Sequence, residues 1–283
     1  RCIRAVEAAL ADLPASAGGV SSVFVERAAV AASGITGPDD PEGRIYERAL
    51  RERAGAAVVT VDNDAVAALY AAHAGPPGAV VISGTGSIAL AMDGFRRAVA
   101  GGNGYLLGDE GSAYAIGREG LRAALRDPGS KLAAAIRAQT APELAAAVAA
   151  LYASDAPAAW LAGLAPCVSR AARAGDAAGL NILERAGEDL GALVLAAVEG
   201  LGRGPDSLPL ALCGGVATGE SLVAQAAARF VKRHAPTAAV HVSVRPPIAG
   251  AALMAAGDWA GSTAAARTVW SDQLTTSLEI LAP

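Results

Sequence analysis

Four short segments hold residues whose types and spacing could do chemistry: Val61-Asp62-Asn63-Asp64-Ala65, Ser83-Gly84-Thr85-Gly86-Ser87, the glycine-rich run from Gly101 to Ser112, and Leu212-Cys213-Gly214-Gly215-Val216-Ala217. In the second, Ser83, Thr85 and Ser87 offer hydroxyls and a run of backbone N–H groups. Gly84 and Gly86 are expected to take positive φ and let the backbone approach a ligand closely. Such a turn can hold a phosphate, and an ordinary β-hairpin turn has the same composition. Asp64 follows an apolar run and precedes an alanine-rich one, so its carboxylate could accept a proton from a substrate hydroxyl or cap the helix. Asp62 is its rival for the first role. Asp109 and Glu110 stand among glycines before a helix, where a carboxylate can orient sugar hydroxyls or simply favour the helix N-terminus. Gly214-Gly215 can admit a flat base or a phosphate, or serve a strand-to-helix turn.

The elements that must position these segments are legible from periodicity and turn residues. Helices are expected over Cys2–Leu13, Gly43–Gly55, Asp64–Ala74, Ser112–Arg126, Ala141–Tyr152, Ala156–Ala174, Asp176–Leu201 and Thr218–His234. Strands are expected over Val23–Ala32, Ala56–Val61, Ala79–Ser83, Leu208–Cys213 and Val240–Val244. Ser87–Met92 and Phe95–Ala100 form a hairpin about Asp93-Gly94. Strand and helix alternate on either side of a helical insert, which gives an α/β architecture with mixed sheets. Each candidate segment then falls where a strand ends or a helix begins, the places where open α/β sheets collect ligands and anions.

Composition narrows the function further. At 283 residues, 53% hydrophobic and 18% charged, the chain reads as a soluble globular protein, and no apolar run reaches the length of a membrane span. A net charge of −4 with scattered basic residues lacks the footprint of nucleic-acid binding. Cys2, Cys167 and Cys213 are too far apart for a disulfide framework or a zinc site, so a reducing cytoplasm is the expected compartment. His73, His234 and His241 show no ligand spacing, and no G-x-S-x-G elbow surrounds Ser83 or Ser87. The chain opens on Arg1, which reads as the start of a fragment or a processed product.

Taken in order, Val61–Leu69, Val80–Ala89, Ala100–Gly120 and Leu212–Ala217 resemble the N-acetylglucosamine kinase branch of the BadF-type ATPases, within the sugar kinase, heat-shock ATPase and actin superfamily. The resemblance runs from about Val23 to about Ala256. It implies two ribonuclease-H-like (actin-like ATPase) domains around a cleft, as a homodimer. The first would cover 1–77 and the second 78–283, the last segment being a candidate to return to the first. It implies ATP and Mg²⁺ as cofactors, with no metal ligand assigned, and an amino sugar, N-acetylglucosamine or glucosamine, as acceptor.

By this resemblance Asp64 is the catalytic base, Ser83 to Ser87 (Ser83, Gly84, Thr85, Gly86 and Ser87) the second phosphate loop, Gly102, Asn103 and Asp109 the sugar site, and Gly214-Gly215 the adenosine loop. In-line phosphoryl transfer needs such positioning, charge neutralisation and a base. The family's opening Asp-Gly-Gly-Gly-Thr-like segment has no counterpart in these residues, so the first domain is expected to be incomplete. Asn103 stands where many relatives have tryptophan, which implies an altered acceptor preference. A non-catalytic nucleotide or sugar sensor remains an alternative. So does an ATPase activator of a 2-hydroxyacyl-CoA dehydratase, which the cysteine pattern disfavours.

Overall fold

The computed structural model describes residues 26–218 and 221–257. The helix expected over Cys2–Leu13 lies outside them. The chain divides into two units, one built from residues 1–75 and 245–283 and the other from Pro76–Val244.

In the described part of the first unit, β1 (Arg27–Ala31) and β2 (Val58–Asp62) run parallel, with Ala31 beside Asp62. They are joined through α1 (Pro41–Ala54), which starts at Asp40, whose carboxylate accepts from Glu42 N, and stops at Gly55 in the left-handed region. Helix α2 (Asp64–His73) follows β2 directly and buries Ala65 to Leu69 almost completely. The late helix α10 (Pro247–Ala256) packs on it. Contact is backbone-close, since a Cβ on Gly250 would stand inside van der Waals range of the Ala67 carbonyl.

The second unit is built on a five-stranded sheet in the order β5-β4-β3-β6-β7, namely β3 (Gly78–Ser83), β4 (Ser87–Asp93), β5 (Arg96–Gly101), β6 (Leu210–Cys213) and β7 (Val240–Val242). β5, β4 and β3 are antiparallel neighbours, and β3, β6 and β7 are parallel. The continuous apolar run Ala79-Val80-Val81 is fully buried because β3 sits mid-sheet. The hairpin forms with Asp93 opposite Arg96, so the two turn residues are Gly94 and Phe95, one position later than expected.

Helices supply the rest: α3 (Ala113–Arg126), α4 (Lys131–Gln139), α5 (Leu144–Tyr152), α6 (Pro157–Ala162), α7 (Ala165–Arg173), the 24-residue α8 (Ala177–Gly200) and α9 (Leu222–His234). Three expectations are corrected. The single helix over Ala156–Ala174 is two, broken at Gly163-Leu164. Helix α4 was not foreseen. It starts at Ser130, whose Oγ accepts from Ala133 N, and its Leu132 N donates to Asp176 Oδ2 at 2.9 Å, while Asp176 Oδ1 caps α8 through Gly179 N. Helix α9 begins after Ser221, whose hydroxyl caps it, and not at Thr218. Helix α8 lies on β3, β4 and β5, and α9 packs on α8 where Gly187 and Gly191 let the two approach. Among the described residues no helix is long and apolar enough to cross a membrane.

Candidate functional site

β3 ends at Ser83, and its parallel neighbour β6 ends at Cys213, which pairs with Ile82. Both strands therefore deliver their carboxyl ends to one edge, where Ser83–Ser87 and Gly214-Gly215 begin. The two segments are bonded: Val216 N donates to Ser83 O at 3.1 Å. Gly214 (φ +94°) has no room for a side chain, since a Cβ would intrude on the Ser83 carbonyl.

The Ser83–Ser87 turn differs from expectation in two ways. Gly84 and Gly86 do not take positive φ. Gly86 is required because a Cβ there would lie 2.7 Å from Asp109 Oδ1, while a Cβ on Gly84 would meet only open space. The serine hydroxyls, moreover, do not face a ligand. Ser83 Oγ, fully buried, donates to Gly111 O at 2.9 Å, and Ser87 Oγ donates to Glu110 O at 2.7 Å. They fasten the turn to the glycine-rich segment.

The N-terminus of α3 is likewise occupied. Ala113 N donates to Gly84 O and Tyr114 N to Thr85 O, at 2.9 and 3.2 Å, while Ser112 Oγ accepts from Ala115 N. What the turn leaves free, among the described residues, are the backbone N–H groups of Thr85 and Gly86 and the exposed Thr85 hydroxyl. Two free backbone N–H groups and a hydroxyl in one turn can make a small anion cradle.

Asp109 is brought to this turn. It is 9% exposed, sits in the left-handed region (φ +64°), and accepts Ser87 N–H on Oδ1 at 3.0 Å. A non-glycine residue held at positive φ is uncommon and is paid for by the contacts around it. Asp109 Oδ2 makes no hydrogen bond or ion pair among the described residues. Gly102 N donates to Ser87 O at 3.0 Å, which ties the start of the segment to β4. Gly102 and Asn103 are exposed, as are Leu106 and Leu107.

Beside the turn lies a cavity of about 890 Å³ that Gly84, Thr85 and Gly215 line from one side, with Ile116, Leu183 and Val216 as apolar wall. A Cβ on Gly215 would meet nothing within 4 Å, so this floor is open. The cavity also takes in Pro166, Ser169, Arg170 and Arg173 of α7, which sequence reasoning missed. Their i, i+3, i+4, i+7 spacing was the available signal. Burial pushes the Cys213 thiol up to about 12, with Ser243 opposing, and raises Cys167 despite Arg170. Both thiols are protonated at neutral pH. Among the described residues no three His, Cys, Asp or Glu side chains gather as a metal site.

In the first unit, Asn63, not Asp64, caps α2, its side chain accepting from Ala65 N at 2.9 Å. Asp62 is buried at 6% exposure and accepts Asn63 N at 2.8 Å. Asp64 is half-buried in the first turn and makes no hydrogen bond or ion pair among the described residues.

The sequence profile of the BadF/BadG/BcrA/BcrD ATPase family matches residues 3–255. The chain belongs to this family. Within and around it, the chain is 40% identical over 95 residues to the N-acetylmuramic acid/N-acetylglucosamine kinase of Clostridium acetobutylicum, a match covering 33% of this chain and 31% of that one. It is 38% identical over 61 residues, 22% of this chain and 21% of the relative, to glucosamine kinase GspK of Vibrio cholerae. The matched stretches thus span less than a third of either curated relative. The crystal structure of a candidate N-acetylglucosamine kinase from Chromobacterium violaceum superposes with a TM-score of 0.64 at 28% identity, covering 89% of this BadF-type chain and 84% of that one. The α/β fold is accordingly that of the actin-like sugar kinases.

Proposed function

We propose that this BadF-family protein transfers the γ-phosphoryl group of ATP to an amino sugar, glucosamine or an N-acylated relative. The observation that carries the reading is the bonded pair of handles at the carboxyl ends of β3 and β6. Among the described residues the N–H groups of Thr85 and Gly86 are free for a phosphate, and one hydrogen bond away Asp109 holds a free carboxylate oxygen. The names of the matched relatives, all sugar kinases, support the same reaction class.

The residues fit a nucleotide. The open floor at Gly84 and Gly215 accepts a ligand where any side chain would narrow it, and the apolar wall suits a purine. Thr85 and Gly86 then hold phosphate oxygens, and the backbone of Gly214-Gly215 bounds the nucleoside. Mg²⁺, when bound, neutralises phosphate charge. It commonly keeps several waters and takes only one or two protein carboxylates beside the substrate phosphates. Asp109 Oδ2 accepts a sugar hydroxyl, with Gly102 and Asn103 beside it. Asp64, half-buried and without a hydrogen bond or ion pair among the described residues, takes the proton of the attacking hydroxyl. Asp62, buried with an oxygen already accepting Asn63 N–H, is the poorer base.

The test is turnover of Asp64→Asn. Wild type releases ADP from Mg·ATP in a sugar-dependent manner with at least one of glucosamine, N-acetylglucosamine and N-acetylmuramic acid. The variant is expected to lose about 100-fold or more in kcat with a much smaller change in sugar KM. Undiminished kcat would remove Asp64 from the proton transfer and leave that role to Asp62 or to substrate-assisted proton loss.

A further inference from the structure

Helix α7 lines the cavity with a face that the reaction above does not use. Pro166, Ser169, Arg170 and Arg173 share one face of it. Its two guanidiniums differ in kind. Arg170 Nη2 donates to Gln139 Oε1 at 3.1 Å and lies 3.3 Å from Cys167 Sγ, so it is anchored to the end of α4. Arg173 makes no hydrogen bond, ion pair or ring contact among the described residues, although it lines the cavity. A cation in the last turn of a helix is favourable in itself, so its place along the cavity decides what else it does.

Helix α8 serves as a ruler for that place. Gly111, whose carbonyl accepts the Ser83 hydroxyl beneath the phosphate turn, packs on Ala186 of α8, where a Cβ would lie 2.6 Å from the Ala186 carbonyl. Gly179 of the same helix packs on Ala172, the neighbour of Arg173, with a Cβ position 3.1 Å from Ala172 N. Ala186 and Gly179 are seven positions apart, about 10 Å along an α-helix. Gly84 and Thr85 of the phosphate turn and Arg173 line the same cavity, together with Ile116, Leu183 and Val216, and the α8 positions on which their neighbours pack lie that distance apart.

We infer that Arg173 is a nucleotide-binding residue that engages the base end of the phosphoryl donor, while Thr85 and Gly86 engage its phosphates. This rests on the nucleotide site proposed above. A guanidinium is suited to the task because its plane lies on a ring face or donates to ring nitrogens, and it is less strongly hydrated than an ammonium.

The experiment is equilibrium binding to wild type, Arg173→Ala and Arg173→Lys with two probes, ATP and inorganic tripolyphosphate, which has the phosphates and no base. Arg173→Ala is expected to weaken ATP binding about fivefold or more and to leave tripolyphosphate binding unchanged, which also shows that the variant is folded. Arg173→Lys is expected to recover only part of the loss. An equal loss for both probes would make Arg173 a general phosphate attractor and overturn the inference, as would unchanged ATP binding. Wild type that binds neither probe would contradict the nucleotide site itself, and the inference with it.

Discussion

At the scale of single residues, the candidate site is organised by what each group is already bonded to. Ser83 and Ser87 look like phosphate ligands in the sequence, yet their hydroxyls donate to carbonyls 28 and 23 positions later, and this clamp leaves Thr85 N–H and Gly86 N–H as free donors among the described residues. Gly86 is where turn and carboxylate meet. Gly86→Ala would push a methyl group against Asp109 Oδ1 at 2.7 Å, so either the carboxylate swings away from Ser87 N or the turn moves. The expected result is a rise of about tenfold or more in both the ATP and the sugar KM, with a loss of stability of roughly 1–3 kcal/mol, the usual range for overpacking. Steady-state kinetics with each substrate varied in turn checks it. A change confined to ATP would separate Asp109 from the sugar.

At the scale of elements, close backbone packing positions the cavity wall, and the helices can be tested independently of chemistry. Gly117 of α3 faces Leu161 of α6 so closely that a Cβ would overlap the Leu161 carbonyl. Gly117→Ala is expected to cost about 3 kcal/mol in urea unfolding, because backbone cannot move aside as a side chain does. Gly204→Ala, where a Cβ meets open space, is the matched control and should be close to neutral.

Much of this level was legible in the sequence. Val80-Val81 reads as a buried strand, Asp93-Gly94 marks the hairpin, and the alanine-rich stretches give α2, α3 and α8. The break at Gly163-Leu164 was not legible, since alanine on both sides favours one continuous helix. Helix α4 was missed because, beyond its local Ser130 cap, its first turn is held by Asp176, whose Oδ2 accepts the Leu132 N–H from 44 positions away in sequence. Sequence gives the turn glycines a conformational reason, but the cause at Gly86 is steric, set by Asp109 folding back from the later segment, and a Cβ on Gly84 meets only open space. Local pattern shows where a glycine stands, and only the fold shows what would occupy its Cβ.

At the scale of the molecule, the chain leaves its first unit at Gly75 and returns to it at Arg245, so the Ser83–Ser87 turn, Asp109, Gly214-Gly215 and the α7 stripe all belong to the Pro76–Val244 unit, and Asp62 and Asp64 to the other. Family membership and the carboxyl-end site speak for ATP chemistry, and the fate of the γ-phosphoryl group separates a sugar kinase from an ATPase that uses hydrolysis for another end. The direct measurement is incubation of the protein with γ-labelled ATP, Mg²⁺ and the three amino sugars, followed by separation of sugar phosphate from inorganic phosphate. The kinase reading predicts label on the sugar, in amounts equal to the ADP formed. Label released only as inorganic phosphate, at a rate the sugars do not change, would contradict it.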